Sequence, residues 1–166
     1  MTEEIAHINK EFWDNFSSIY SDPIQTNNYL HRACSSVEDK IKRDFKLAGL
    51  HDNYSLYAIG GFGKKEMFPS SDIDISIIKK NKDVSKVSQL EAFIASMWDS
   101  GYKIGCSVRS MNELKKIIRE DAKELTTYLT IRPLISDIEE YKKIQKNEFW
   151  GLCPGLKCEK MDPKKL

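Results

Sequence analysis

The chain has 166 residues, of which 40% are hydrophobic, and its 26 basic and 25 acidic side chains leave a formal net charge of +1. That is an ordinary globular composition with enough apolar material for one core. Its charge balance argues against bulk capture of nucleic acid or anionic membrane, leaving room only for a local basic edge. No apolar run approaches the ~20 residues that span a bilayer, and the first residues, MTEEIAHINKEF, lack a basic segment followed by an apolar stretch. A cytoplasmic protein with no secretory signal, no membrane association and no specific nucleic-acid partner is therefore expected. Cys34, Cys106, Cys153 and Cys158 are scattered, as in a reducing compartment. Cys153 and Cys158 lack the second cysteine pair of a strong zinc signature, and His7, His31 and His51 have no metal-ligand spacing.

In chain order, Ile5, Ile8, Phe12, Phe16 and Ile19 recur at three- and four-residue intervals and predict a helix that closes at Ser21-Asp22-Pro23. Leu30, Cys34, Val37, Ile41 and Phe45 predict a second, with Gly49 as its terminator. Tyr54 to Ile59 reads as a strand running into Gly60-Gly61, and Asp72 to Ile78 as another. On the latter, Asp72, Asp74 and Ser76 share one face, and Ile73, Ile75 and Ile77 share the opposite, core-side face. Val84 to Ser100 predicts a helix burying Val87, Leu90, Ile94, Met97 and Trp98, ended by Gly101. A third strand, YKIGCSVRS, follows at 102–110. Ser110 and Glu113 have the spacing of a capping box. Helices over Asp121–Leu129 and Asp137–Asn147 are expected, interrupted around Pro133, with a glycine- and proline-punctuated tail after them. Three parts result: a helical segment over 1–50, a core over 51–150, and a tail or truncated linker over 151–166.

The chemistry concentrates in GGFGKKEMFPSSDIDISII, residues 60–78. Glycines let backbone N–H groups approach phosphate closely, and a helix beginning near Phe62 or Gly63 would add its positive end. Asp72 and Asp74, two residues apart on a strand, place both carboxylates on one side, where they can hold Mg2+ against phosphate oxygens. Two such ions about 4 Å apart orient an attacking oxygen and stabilise the departing phosphate. Taken singly, a glycine pair also turns chains and aspartates also line solvated strands. Joined by one short loop, the two features favour a site.

These residues resemble the DNA polymerase beta-like nucleotidyltransferase superfamily and, within it, the amino-terminal catalytic domain of the bacterial PII-protein uridylyltransferases. The resemblance runs through Gly60-Gly61-Phe62-Gly63-Lys64-Lys65-Glu66, Phe68-Pro69, Ser71-Asp72-Ile73-Asp74, Trp98-Asp99 and Gly105-Cys106-Ser107-Val108-Arg109-Ser110, about half of the chain with the intervening helix. It implies an α+β fold, a small mixed sheet with packed helices preceded by N-terminal helices. It also implies that Gly60 and Gly61 contact nucleotide phosphates while Asp72 and Asp74 are the catalytic and metal-binding pair for Mg2+, with Mn2+ as an alternative. Ser71 either donates to phosphate or shapes the loop. Lys64 stands where the family commonly carries arginine, and Cys106 where it usually has histidine. Arg109 matches a recurrent arginine that binds triphosphate or a neighbouring acid, or else pairs with the sheet or the following helix. Many relatives carry a third carboxylate on a later strand. Tyr102 to Arg109 contains none, and Asp99 and Glu113 flank it.

The resemblance implies metal-dependent nucleotidyl transfer from UTP, or another nucleoside triphosphate, to a protein hydroxyl, a tyrosine of a PII-type signalling protein, with release of pyrophosphate. The family usually continues into an HD-type hydrolase and ACT domains, for which residue 166 leaves no room, so an isolated catalytic unit or a small stand-alone relative is expected. The rival readings are an antitoxin-like protein adenylyltransferase, separable by ATP dependence, and a catalytically weak nucleotide-binding regulatory module.

Overall fold

The computed structural model describes residues 3–80 and 86–145. The side chain of Ile5, the helix start at Val84, the helix end at Asn147, and Cys153 and Cys158 with the whole 151–166 tail lie outside the described residues.

The first expected helix is two: α1 (Glu3–Asp14) and α2 (Phe16–Ser21), separated by a turn at Asn15. Ile8, Phe12 and Ile19 are buried together with Tyr29, Leu30 and Ala33. Phe16 is not buried with them. It stacks between Trp13 and Tyr20 on the exposed side. Asp22 caps α3 (Pro23–Leu47), its carboxylate accepting from the amides of Ile24 and Gln25, while Pro23 sits where a missing N–H costs nothing.

Four strands form one mixed sheet: β1 (Tyr54–Ala58), β2 (Ile73–Lys79), β3 (Ile104–Ser110) and β4 (Arg132–Ile135), in the order β3-β2-β1-β4. β1 runs antiparallel to both β2 and β4, and β2 runs parallel to β3. The parallel pair is joined by the crossover helix α5 (Val87–Asp99), as two parallel neighbours require. A single helical turn, α4 (Gly60–Gly63), links β1 toward β2. After β3 come α6 (Met111–Glu120), α7 (Ala122–Tyr128) and, past β4, α8 (Ile138–Ile144). The expected α+β class, a small mixed sheet with packed helices, is observed.

The sheet is covered on both faces. On one, Ile73, Ile75 and Ile77 of β2 pack with Leu56 and Ala58 against Val37, Ile41 and Phe45 of α3 and Leu90, Phe93 and Met97 of α5. On the other, Tyr57 and Ile78 pack against Leu114, Ile118, Tyr128 and Ile144 from α6, α7 and α8. Burial on both sides explains why the alternation along β2 fails at Ile78.

Three expectations need correction. Ser76 shares a face with Asp74, but that face is not left open, because the core lies on both sides of the sheet: Ser76 is fully buried, and its hydroxyl meets that of Tyr128 at 2.8 Å. Val87 and Trp98 are exposed at 52% and 57%, and Phe93 takes the buried place between Leu90 and Met97. Pro133 does not merely interrupt two helices. It lies in β4, a sheet edge, opposite Tyr57 where the β1–β4 register shifts, a setting that tolerates a residue without an N–H.

Candidate active site

The site forms where β1 stops and β2 begins. Past Ala58 the ladder continues by one bond, the Ile59 amide donating to the Asp74 carbonyl at 3.0 Å. Gly60 then turns the chain with φ +59°, a conformation side chains rarely adopt, and opens α4. Across the parallel ladder, Asp74 stands in register with Gly105. A Cβ on Gly60 would come within 3.0 Å of Asp74 Oδ2, and one on Gly105 within 2.3 Å of Oδ1. The carboxylate thus occupies a slot between two residues that have no side chain. Here the glycines make room for an acid.

Asp74 is half-buried, and Asp72, just before β2, is exposed. Burial, and then the negative charge of Asp72, push the Asp74 carboxyl above its ordinary range. The two acids are therefore close enough to repel one another, the electrostatic condition under which a cation is welcome. Two carboxylates with open coordination toward solvent suit a hard cation that takes its remaining oxygens from phosphate and water. Among the described residues no group of three or more His, Cys, Asp or Glu is gathered for a metal. Asp99 is exposed at the end of α5, and Glu113 closes the expected capping box, accepting from the Ser110 amide at 2.6 Å while Ser110 Oγ accepts from the Glu113 amide at 3.3 Å.

A cavity of about 250 Å³ abuts Asp74, lined also by Gly105, Cys106, Arg109, Glu124 and Thr127. Its far side is an ion pair: Arg109 donates to Glu124 of α7 at 3.1 and 3.3 Å and to the Tyr128 hydroxyl at 2.9 Å. That hydroxyl also meets Ser76 and Ser107, so one phenol ties β2, β3 and Arg109 together. Of the two roles open to Arg109 in the sequence, pairing with a following helix is the one observed, within reach of a cavity it shares with Asp74. Cys106 is half-buried, its thiol pushed up to about 11 by burial, which makes it a neutral wall at neutral pH.

Lys64, the residue after α4, is exposed with its Nζ 4.0 Å from Glu66, an interaction that solvent largely screens. Ser71 ends a turn in which its amide donates to the Phe68 carbonyl at 3.0 Å. Gly61 is exposed and meets only the Glu66 carbonyl, at an ordinary 3.5 Å from where a Cβ would sit. The structure thus draws Gly60, Asp72, Asp74 and Gly105 together; of the expected site residues, Asp74 and Arg109 line the adjoining cavity, whereas Gly60, Gly61, Lys64, Ser71 and Asp72 lie outside its lining. Glu124 and Tyr128, which hold Arg109, and Thr130 and Arg132, which donate to carbonyls of the Gly60–Gly63 turn with Glu38 accepting from Arg132, were missed in the sequence. Their spacing along the chain gives no signal, because each acts across a long loop of sequence.

This mixed sheet, with a glycine turn at the end of one strand and a paired-acid motif at the start of its neighbour, defines a nucleotidyltransferase fold of the polymerase beta-like class. No protein-family model matches the chain. Among curated proteins it is similar to the bifunctional uridylyltransferase/uridylyl-removing enzyme of Acinetobacter baylyi, 35% identical over 147 residues, covering 85% of this chain and 16% of the relative. It is also similar to those of Ralstonia nicotianae, 37% identical over 98 residues (58% and 11%), and Pasteurella multocida, 31% identical over 101 residues (58% and 12%). These three relatives share one name, and the likeness to them runs over 58–85% of this chain. It spans between 11% and 16% of the length of these three relatives. No helix among the described residues is long and apolar enough to cross a membrane.

Proposed function

We propose that the chain transfers a nucleotidyl group from a nucleoside triphosphate, UTP by kinship, to a protein hydroxyl, a tyrosine of a PII-type signalling protein, and releases pyrophosphate. The observation that carries this reading is the Asp74 slot: one carboxylate held between Gly60 and Gly105, with a second, Asp72, near enough to raise its pKa. The reaction joins the acceptor oxygen to the α-phosphorus as its hydroxyl proton passes to solvent, and breaks the bond from that phosphorus to the bridging oxygen, whose electron pair leaves with pyrophosphate. Gly60 and Gly61 would hold the phosphates through backbone amides. Asp72 and Asp74 would hold Mg2+ (or Mn2+), which when bound supplies neutralisation of the charge spread over the phosphates. Ser71 and Lys64 flank this turn, as loop-shaping and charge-supplying residues. Arg109, now neutralised by Glu124, would reach the triphosphate by exchanging one anion for another.

A noncatalytic nucleotide-binding module is the second reading, favoured by the engagement of Arg109 and by the absence of a gathered third acid among the described residues. The test is incubation with Mg2+, each labelled triphosphate in turn and a PII-type acceptor, following pyrophosphate and labelled protein. Transfer from UTP supports the proposal. Transfer from ATP alone replaces it with protein adenylylation, and binding without turnover replaces it with the regulatory module.

A further inference from the structure

We propose that Arg132, aimed by Glu38, is a positioning residue for the nucleotide-binding turn. The inference rests on the proposed function and concerns how the Gly60–Gly63 backbone is held in place. A four-residue helical turn has no stability of its own, because nucleating a helix fixes several dihedrals for a single hydrogen bond. Something outside α4 must therefore fix its orientation, and the contacts at its carbonyls show what does.

Arg132, the first residue of β4, donates from Nε to the Gly63 carbonyl at 3.1 Å and from one terminal nitrogen to the Phe62 carbonyl at 3.2 Å. Its other terminal nitrogen donates to Glu38 of α3 at 2.8 Å. Two residues earlier, the Thr130 hydroxyl donates to the Gly60 carbonyl at 2.9 Å. The turn is pressed so closely on this segment that a Cβ on Gly63 would lie 2.2 Å from the Thr130 carbonyl oxygen. Every contact named here falls on the carbonyl side. Among the described hydrogen bonds, none uses the amides of Gly60, Gly61 or Phe62.

The pair is built for rigidity. Glu38 is 8% exposed, and its second oxygen accepts from Lys42. Burial by itself would push the Glu38 carboxyl up, but the hydrogen bonds from Lys42 and Arg132 outweigh it and hold the group below the ordinary range, hence ionised. A guanidinium presents its N–H groups in a fixed planar fork, so one side chain serves two carbonyls and a carboxylate at defined angles, which a lysine ammonium on a flexible stem cannot do. In a helical turn the amides and carbonyls point in opposite directions. Gripping the carbonyls from behind therefore fixes where the Gly60 and Gly61 amides point in front.

The test measures binding of UTP and of ATP, each with Mg2+, by calorimetry on the full chain, for the wild type and for Arg132→Lys, Arg132→Gln and Glu38→Gln. Melting curves establish the folded fraction in each sample. Misplacing a binding group by a fraction of an ångström to one ångström costs about tenfold to a hundredfold. Both Arg132 variants are expected to raise Kd by about tenfold, with Arg132→Lys as weak as Arg132→Gln despite keeping the charge, and Glu38→Gln to weaken binding less. Folded variants that bind within twofold of wild type overturn the proposal, as does full affinity in Arg132→Lys, which would mean that charge rather than the fork matters. If Arg132→Gln does not fold, Arg132→Lys and Glu38→Gln decide. A folded wild type that binds neither nucleotide sinks the proposed function itself, and this inference with it. Normal wild-type binding with indifferent variants sinks the inference alone.

Discussion

Two ends of one face of β2 differ sharply. At the start of the strand, Asp74 looks out between Gly60 and Gly105 with Asp72 beside it. One repeat further on, Ser76 is fully buried under Tyr128, and after another repeat Ile78 is packed against α6 and α7. The backbone is the same extended ladder throughout, so strand geometry does not distinguish site from core. What distinguishes them is the opposing residue. Opposite Asp74 the neighbouring strand offers a glycine and leaves space; opposite Ser76 it offers Ser107, and α7 adds a phenol that closes the face. An open acidic edge can thus sit two residues from a sealed interior when small residues hold the space open.

Removing the open end entirely should have the largest effect. Asp74→Ala or Asp72→Ala is expected to lower nucleotidyl transfer by about a thousandfold or more, measured as pyrophosphate release at saturating triphosphate. Filling the slot comes next. Gly105→Ala puts a methyl group 2.3 Å from where Asp74 Oδ1 now lies, so the carboxylate must swing away. Transfer should fall by about a hundredfold with a melting temperature close to wild type, a result that assigns the loss to aim and not to folding. Loosening the sealed end should reverse that pattern. Tyr128→Phe deprives Ser76, Ser107 and Arg109 of a shared partner and should cost about 1–3 kcal/mol in denaturant unfolding, while transfer falls by less than about tenfold.

The smallest effect carries a sign. The Asp74 pKa is raised in the folded chain, so the fold binds that proton more tightly than the unfolded chain does. The resulting penalty is absent below the ordinary carboxylate pKa of about 4 and grows as pH rises past it, reaching its full value above the raised folded pKa. Asp74→Asn should therefore raise the melting temperature at neutral pH, and raise it less as pH falls toward about 4, while abolishing transfer. A variant no more stable than wild type at neutral pH would mean that the two acids do not strain the fold.

Local features were legible in the sequence because their causes are local. The Ser110–Glu113 capping box, the helix break at Ser21-Asp22-Pro23 and the joining of a glycine turn to Asp72 and Asp74 each depend on residues a few positions apart, although the same Asp22-Pro23, expected only as an end, also starts α3. β4 was not, because Pro133 reads as a breaker and only the position of Arg132–Ile135 at a sheet edge makes it acceptable. Nor was the sealing of Ser76, since period-two alternation says which side a residue faces and nothing about what will cover that side. Arg132 and Glu38 lie 94 residues apart, and the turn they hold contributes only carbonyl groups, which every residue possesses. No pattern of side chains could have announced that contact.

Trp98, exposed on α5, donates its indole N–H to the carbonyl of Ile104 at 3.4 Å, one residue before the glycine that faces Asp74. Its indole thus touches the edge strand near the slot. Arrival of a triphosphate that displaces that strand should change the Trp98 share of the intrinsic fluorescence, a contribution separated from that of the other two tryptophans by comparison with Trp98→Phe.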